Sequence, residues 1–291
     1  MRFALSTNWC NRRMESGEEI ADKAEELGFD GLELGFHTTD FQVAGFRSRL
    51  DRMPVGSVHA FCPVPLSAPQ GYPELYQLAS FDEEARKMAR LMIRRNVAFA
   101  ADIGATALVL HAGRVPCDSW FRFRRIARRG KGGRRMIGVL LRELELLTPD
   151  LERFGVRLGL ENLPYLAGFP DLSEVGSVTG EWVRPWLDTG HWYAVRSQEA
   201  EGGEVRWESP SEDYAPLGFH LNDSNGGDDH LAPGDGRIDF SAFLPMMESA
   251  AHLVLEPNPS VTDEQLRAAL GRLRDCGRVR WGNDGSGTVS T

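Results

Sequence analysis

Cysteine is scarce in this sequence. Cys10, Cys62, Cys117 and Cys276 are its four thiols in 291 residues, and no two of them form a CxxC pair. Such scattered cysteines argue against a disulfide framework and for reduced thiols. Long apolar runs are also missing, so no membrane-spanning segment is expected. The opening MRFALSTNW turns polar too soon for a signal-peptide core. A cytoplasmic location is therefore expected. Nor is there an excess of positive charge. A net charge of −9 with pI ≈ 5.4 argues against a general nucleic-acid or membrane-surface binder.

One segment departs from that charge balance. Between Arg122 and Arg135 stand eight Lys or Arg and no acid, Arg124, Arg125, Arg128 and Arg129 among them. A solvated basic helix face would account for this run. The functional alternative is a phosphate clamp, since guanidinium groups match phosphate geometry.

The chain otherwise reads as strands and helices in alternation. Eight strand candidates follow one another: Arg2–Ser6, Gly31–Gly35, Gly56–Phe61, Ala107–Ala112, Arg157–Asn162, Trp186–Thr189, Gly218–Asn222 and Leu253–Pro257. Several are short apolar runs bounded by Gly, Pro or Asn, the pattern of strands buried on both faces. Amphipathic stretches lie between them, clearest over Glu18–Leu27, Asp82–Ile103, Arg135–Phe154, Phe240–Ala251 and Asp263–Cys276. Such alternation implies parallel strands joined by crossovers. The connection Val195–Pro216 is acidic and poorly periodic, so its helix is expected to be short or replaced by a loop. The expected fold is α/β, a single-domain (β/α)8 TIM barrel over residues 1–280. The polar Gly/Ser-rich tail 281–291 is expected to be disordered.

Metal-ligand chemistry recurs where the apolar runs stop. VRLGLENLP ends on Glu161, LDTGH carries Asp188 and His191, and HLVLEPNP ends on Glu256. The segment FHLNDSNGGDDHLAPGDGRIDF adds His220, Asp228 and His230. His59 and His111 close the third and fourth strand candidates. A lone carboxylate closing an apolar strand is costly to bury without a partner, and an ion pair or cap would explain either glutamate alone. A Glu, Asp, His, Glu set at matching strand ends is better explained by a divalent cation. In a (β/α)8 barrel, those C-terminal strand ends form the active-site face. His37 and His252 have no such placement. Trp9, Phe61, Pro63, Trp192 and Tyr193 stand beside strand ends, where they are either core or the wall of a sugar pocket.

At these residues the chain resembles the xylose-isomerase-like TIM barrels, the superfamily that joins sugar isomerases and epimerases to endonuclease IV. The resemblance runs from Phe3 to near Cys276 and is most specific in LENLP, LDTGH, HLNDS…DDHLAPGDGRIDF and LVLEPNP. For the sugar branch it implies one divalent metal, Mn or Zn foremost with Mg or Co as alternatives, held by Glu161, Asp188, His220 and Glu256. Glu161 and Glu256 would also move protons on opposite faces of the sugar, and His191 would touch a substrate oxygen. For the endonuclease branch it implies three zinc ions. His59, His111 and Glu161 would match the first site, Glu161, Asp188, His220 and Glu256 the second, and His191, Asp228 and His230 the third.

Three features favour the sugar branch. HLAPGDGRIDF follows the isomerase pattern, whereas the endonuclease usually carries Gly where Asp239 stands. An acidic protein repels a duplex. No obvious loop supplies wedge residues that would open damaged DNA. The expected activity is therefore a metal-dependent isomerase or epimerase of a small sugar or sugar phosphate, working next to a carbonyl through an enediolate. The alternatives are an endonuclease IV-like phosphodiesterase acting on abasic DNA, which the basic segment favours, and an inosose-dehydratase-like lyase. No membrane partner is expected, and the oligomeric state is left open, a homo-oligomer included.

Overall fold

Strand and helix alternate around a closed, eight-stranded parallel barrel in the computed structural model, which describes residues 1–114, 125–164, 168–200, 203–209 and 214–279. In chain order the elements begin β1 (Ala4–Ser6), α1 (Gly17–Leu27), β2 (Gly31–Leu34), α2 (Asp40–Arg47), β3 (Val55–His59), α3 (Glu83–Ile103) and β4 (Ala107–Leu110). The short β5 (Gly113–Arg114) precedes α4 (Arg125–Phe154), β6 (Arg157–Glu161), β7 (Gly168–Phe169) and α5 (Leu172–Val175). The chain closes with β8 (Val183–Asp188), α6 (Thr189–Glu199), β9 (Gly218–Leu221), α7 (Leu244–Ser249), β10 (His252–Leu255) and α8 (Asp263–Val279). The barrel order is β1-β10-β9-β8-β6-β4-β3-β2, while β5 and β7 pair apart as a small antiparallel ribbon. Among the described residues no helix is long and apolar enough to cross a membrane.

Strand periodicity explains how one barrel holds both an apolar core and a polar centre. Successive residues of a strand point to opposite faces. Leu5, Leu32, Leu34, Leu108, Leu158, Leu187, Phe219 and Leu255 belong to the main core, which packs the barrel's outer face against the helices. Their neighbours point inward. At the floor, Ala4, Ala107, Val109, Trp186, Leu217 and Val254 form a separate small cluster around one indole. Towards the C-terminal rim the inward positions turn polar. Glu33, Ser57, His59, Glu161, Asp188 and His220 are all buried there.

Several expected elements shift. The strand expected over Trp186–Thr189 runs instead over Val183–Asp188, and a helix starts at once with Thr189. That helix is present as α6, and residues 203–209 beyond it carry no regular structure. The helix expected over Phe240–Ala251 divides into a 3-10 turn, Phe240–Phe243, and α7, because Pro245 fits only the first turn of an α-helix. The basic run extends α4 back to Arg125. Arg124 and the tail 281–291 lie outside the described residues.

The floor imposes a steric condition. A Cβ on Gly218 would stand 2.5 Å from Cζ3 of Trp186, and one on Gly159 would stand 2.8 Å from Cε3. Gly218→Ala should therefore cost about 1–3 kcal/mol through overpacking, read by urea denaturation. Adding Trp186→Phe should recover part of that loss. A Gly218→Ala protein as stable as the parent would show that the indole has room to move.

Candidate functional site

Glu161 is the hub of the polar layer. It closes β6 with its side chain 1% exposed. Its Oε2 lies 3.1 Å from His59 Nε2 and 3.0 Å from His111 Nε2. Its Oε1 lies 3.1 Å from His220 Nδ1 and 3.4 Å from His191 Nδ1. Four imidazoles thus surround one carboxylate. Burial works to raise the Glu161 pKa, but His220, His111 and His191 together pull it well below the usual carboxylate range.

Asp188 has two tasks. As the N-cap of α6, its Oδ1 accepts from the His191 amide at 2.7 Å, which satisfies an orphan helix donor and turns His191 into the cavity. Its Oδ2 accepts from Asn222 Nδ2 at 2.8 Å and lies 3.9 Å from His220 Nδ1. Asn162 ties this strand end to β6: its Nδ2 donates to the Asp188 carbonyl, and its Oδ1 accepts from the Asp188 amide. Burial raises the Asp188 pKa above its ordinary value.

Glu256 follows β10. Its Oε1 accepts from Asn8 Nδ2 at 2.9 Å and from Ser6 Oγ at 3.4 Å, and its Oε2 lies 3.0 Å from His220 Nδ1. Burial works against ionisation here too, yet His220 and His230 bring its pKa down to about 2. Burial opposes the charged form of His220, but Glu256, Glu33 and Glu161 outweigh it and hold its pKa well above the ordinary imidazole value. Glu161, Asp188, His220 and Glu256 each place one ligand atom within 4.8 Å of the others. That is close to the span of ligands held about 2.0–2.3 Å from a shared cation.

Two flanking groups converge in the same way: His59, Glu161 and His220, and Asp188, His191 and His230. In the second, His191 Nδ1 faces the Asn162 carbonyl at 3.0 Å and His230 Nδ1 faces the Glu256 carbonyl at 2.8 Å. A carbonyl only accepts, so both Nδ1 atoms carry hydrogen. The two Nε2 atoms then meet at 3.1 Å with lone pairs opposed unless a proton or a cation lies between them. His59 repeats the pattern, its Nδ1 on the Ala60 carbonyl and its Nε2 aimed at Glu161. This donor set fits a cation.

His230 reaches its place on a constrained loop. Its φ is 55°, left-handed and uncommon for a residue with a side chain, and its amide donates to Asn222 Oδ1. Asp228 does not join it. That side chain is exposed, and its Oδ2 accepts from Asn225 within the turn. Burial works to lower the His191 pKa, but Asp188 and Glu161, with a smaller contribution from Asp229, raise it to about 10. The loop is held from below by buried Asp223, which accepts from the amides of Ser224, Gly234 and Ile238.

A cleft of about 380 Å³ opens above the cluster. Phe36, Tyr72, Pro164, Pro257 and Pro259 wall it, with Asn8, His37, Glu74 and Arg114 as further polar lining. Trp9, Phe61, Trp192 and Tyr193, candidates for that wall, are buried core side chains instead, and Pro63 is half-buried away from it. His252 sits at the opposite end of the barrel, stacked on Trp186. Sequence reasoning passed over Asn8, His37, Asn162 and Asn222. It also passed over Glu33, whose only signal is a carboxylate between two leucines in a strand expected to be buried on both faces.

A parallel barrel with a buried carboxylate–imidazole cluster at its C-terminal rim carries that cluster where (β/α)8 barrels keep their active sites, in a grouping that could hold a metal ion. The chain belongs to the xylose isomerase-like TIM barrel family, whose model matches residues 21–276. A comparison with curated proteins returns no significant match. Among solved structures, the chain is similar to a D-tagatose 3-epimerase-like protein at 20% identity and TM-score 0.67, over 96% of this chain and 98% of that one. It is also similar to the 3-keto-D-glucoside 4-epimerase of E. coli, at 19% identity and TM-score 0.69 over 95% and 100%. A Thermus thermophilus protein soaked with zinc chloride matches at 23% identity and TM-score 0.63, over 96% and 99%. At these identities the likeness is one of fold.

Asp223→Ala would leave three amides of the His230 loop without their acceptor. It should cost about 2–4 kcal/mol, measured by denaturant unfolding, with faster amide exchange over 223–238. Unchanged exchange there would mean that the loop holds without its carboxylate anchor.

Proposed function

We propose that this protein is a divalent-metal-dependent isomerase or epimerase of a small sugar or sugar phosphate. One observation carries the reading: four strand ends bring Glu161, Asp188, His220 and Glu256 to one point beneath the cleft. One imidazole with three carboxylates suits Mn or Zn, and Mg or Co are admissible. When bound, such an ion would polarise the substrate carbonyl and lower the cost of the negative charge that develops beside it.

The chain's own groups would do the rest. Glu161 and Glu256 both reach the ligand point, so one would take the proton next to the carbonyl and the other would return one. Asn8 and Ser6 would hold Glu256 in orientation through its Oε1. His191 and His230 would bind a substrate oxygen, and the proline and aromatic walls would keep bulk water off the reacting carbon. The epimerase names among the similar folds support this reading.

Glu161→Gln and Glu256→Gln should each lower turnover by several orders of magnitude while the fold survives, because each keeps its shape and loses a proton acceptor. Circular dichroism and assay on a panel of ketoses check both halves, together with loss of activity on chelation and recovery with Mn. Wild-type rates for either variant would remove the two-carboxylate mechanism.

A second reading is kept alive by the two flanking groups, which would take further ions in an endonuclease IV-like phosphodiesterase. The exposed position of Asp228 weighs against its third site. Elemental analysis separates the readings: one ion per chain supports the sugar enzyme, while three zinc ions with nicking of abasic duplex support the nuclease. Loss of water from the substrate would instead mark an inosose-dehydratase-like lyase.

The basic run is proposed to favour an anionic substrate, since in chain order it comes after the C-terminal end of β4, the end of the strand that carries the site. Replacing Arg124, Arg125, Arg128 and Arg129 together with Gln should raise KM for a phosphorylated sugar several-fold and leave a neutral sugar unaffected. The contrast should fade with salt over about 8–10 Å of screening. Equal KM values for parent and variant on both sugars would assign the run to a solvated helix face.

A further inference from the structure

Glu33 is a fully buried carboxylate to which neither the motifs nor the proposed chemistry assigns a task. It lies on β2, paired in register with Ser57 of β3, and points into the barrel. Its Oε1 stands 3.0 Å from His220 Nε2, and its Oε2 accepts from Ser57 Oγ at 2.7 Å. The opposite nitrogen of the same ring, Nδ1, lies 3.1 Å from Glu161 Oε1 and 3.0 Å from Glu256 Oε2. The imidazole plane is held as well. His59 stacks on it at 5.6 Å and 11°, and the Trp186 indole meets it edge-on at 5.3 Å.

Neutral imidazole keeps its lone pair on one nitrogen and its hydrogen on the other. To bind a cation among Glu161, Asp188 and Glu256, the lone pair must be on Nδ1, and the hydrogen on Nε2 then needs an acceptor inside a closed barrel. Glu33 is that acceptor, and Ser57 orients it. A carboxylate partner behind a ligating imidazole also makes the ring a better donor to a metal.

We propose that Glu33 is the positioning residue that fixes His220 with Nδ1 as the ligating nitrogen and thereby sets the metal affinity of the cluster. This rests on the metal site proposed above, and the experiment keeps the two apart. Zinc affinity of the parent, Glu33→Gln and Ser57→Ala is measured by competition with a chromophoric chelator, alongside thermal unfolding of each metal-free protein. Glu33→Gln should weaken zinc binding about 10–100-fold. Ser57→Ala, which frees the carboxylate without removing it, should weaken it less. Nitrogen-15 spectra of the zinc-loaded parent should show the His220 hydrogen on Nε2, a readout that stands even if Glu33→Gln fails to fold. Zinc affinity of a folded Glu33→Gln within twofold of the parent, or a His220 hydrogen on Nδ1, would overturn the assignment of Glu33. A parent that binds no zinc or manganese would overturn the metal site itself.

Discussion

Four carboxylates, Glu33, Glu161, Asp188 and Glu256, are buried in the upper interior of one barrel, and positive charge has to stand among them. Burying carboxylates without partners costs more than folding can supply. The barrel answers with imidazoles delivered from β3, the end of β4, α6, β9 and the loop after it. His220 stands in the middle, with a carboxylate on each side of its ring. Much of the surrounding architecture follows from keeping that arrangement in place. Asn162 joins β6 to β8, Asn222 joins the Asp188 strand end to the His230 loop, and Asp223 anchors that loop.

The floor serves the same end. One indole, Trp186, fills the barrel's lower interior among Ala4, Ala107, Val109 and Val254, with Gly159 and Gly218 giving it room. With the lower half packed by apolar side chains, the polar layer faces only the cleft. Low-dielectric walls strengthen each interaction inside the cluster and make any unpaired group there costly. Glu161 and Glu256 are thereby both buried and part of the cleft lining, the placement on which the proposed proton transfer rests.

The barrel was legible because its signal is local. Eight short apolar runs alternate with amphipathic stretches, and six of them stop near a histidine or carboxylate: His59, His111, Glu161, Asp188, His220 and Glu256. The convergence of Glu161, Asp188, His220 and Glu256 was legible for the same reason, each standing where a run ends in Pro, Gly or Asn. Glu33 was not, because it lies inside its run, and the partner that explains it is 187 residues away in sequence. Asp228 was misplaced because its spacing from His230 suits an extended loop, whereas Asn225 and Gly226 (φ 96°) fold that stretch into a turn. Asp188 was legible as a carboxylate at a strand end but not as a helix cap, a role that depends on the helix starting at the next residue. The cleft wall stayed open between core and pocket because aromatic residues beside strand ends serve either equally well, and only the packed structure separates buried Trp9 from cleft-lining Tyr72.

In the proposed reaction Glu161 and Glu256 move a proton at the carbon next to a sugar carbonyl. Incubating the manganese-loaded protein with a panel of ketoses and ketose phosphates in deuterium oxide tests this most directly, because an acid that has exchanged with solvent returns deuterium to the abstracted carbon in an epimerisation and to its neighbour in an isomerisation. Deuterium should enter at least one sugar of the panel, dependent on the added metal. No exchange into any member of the panel, together with metal-dependent cleavage of an abasic duplex by the same preparation, would contradict it.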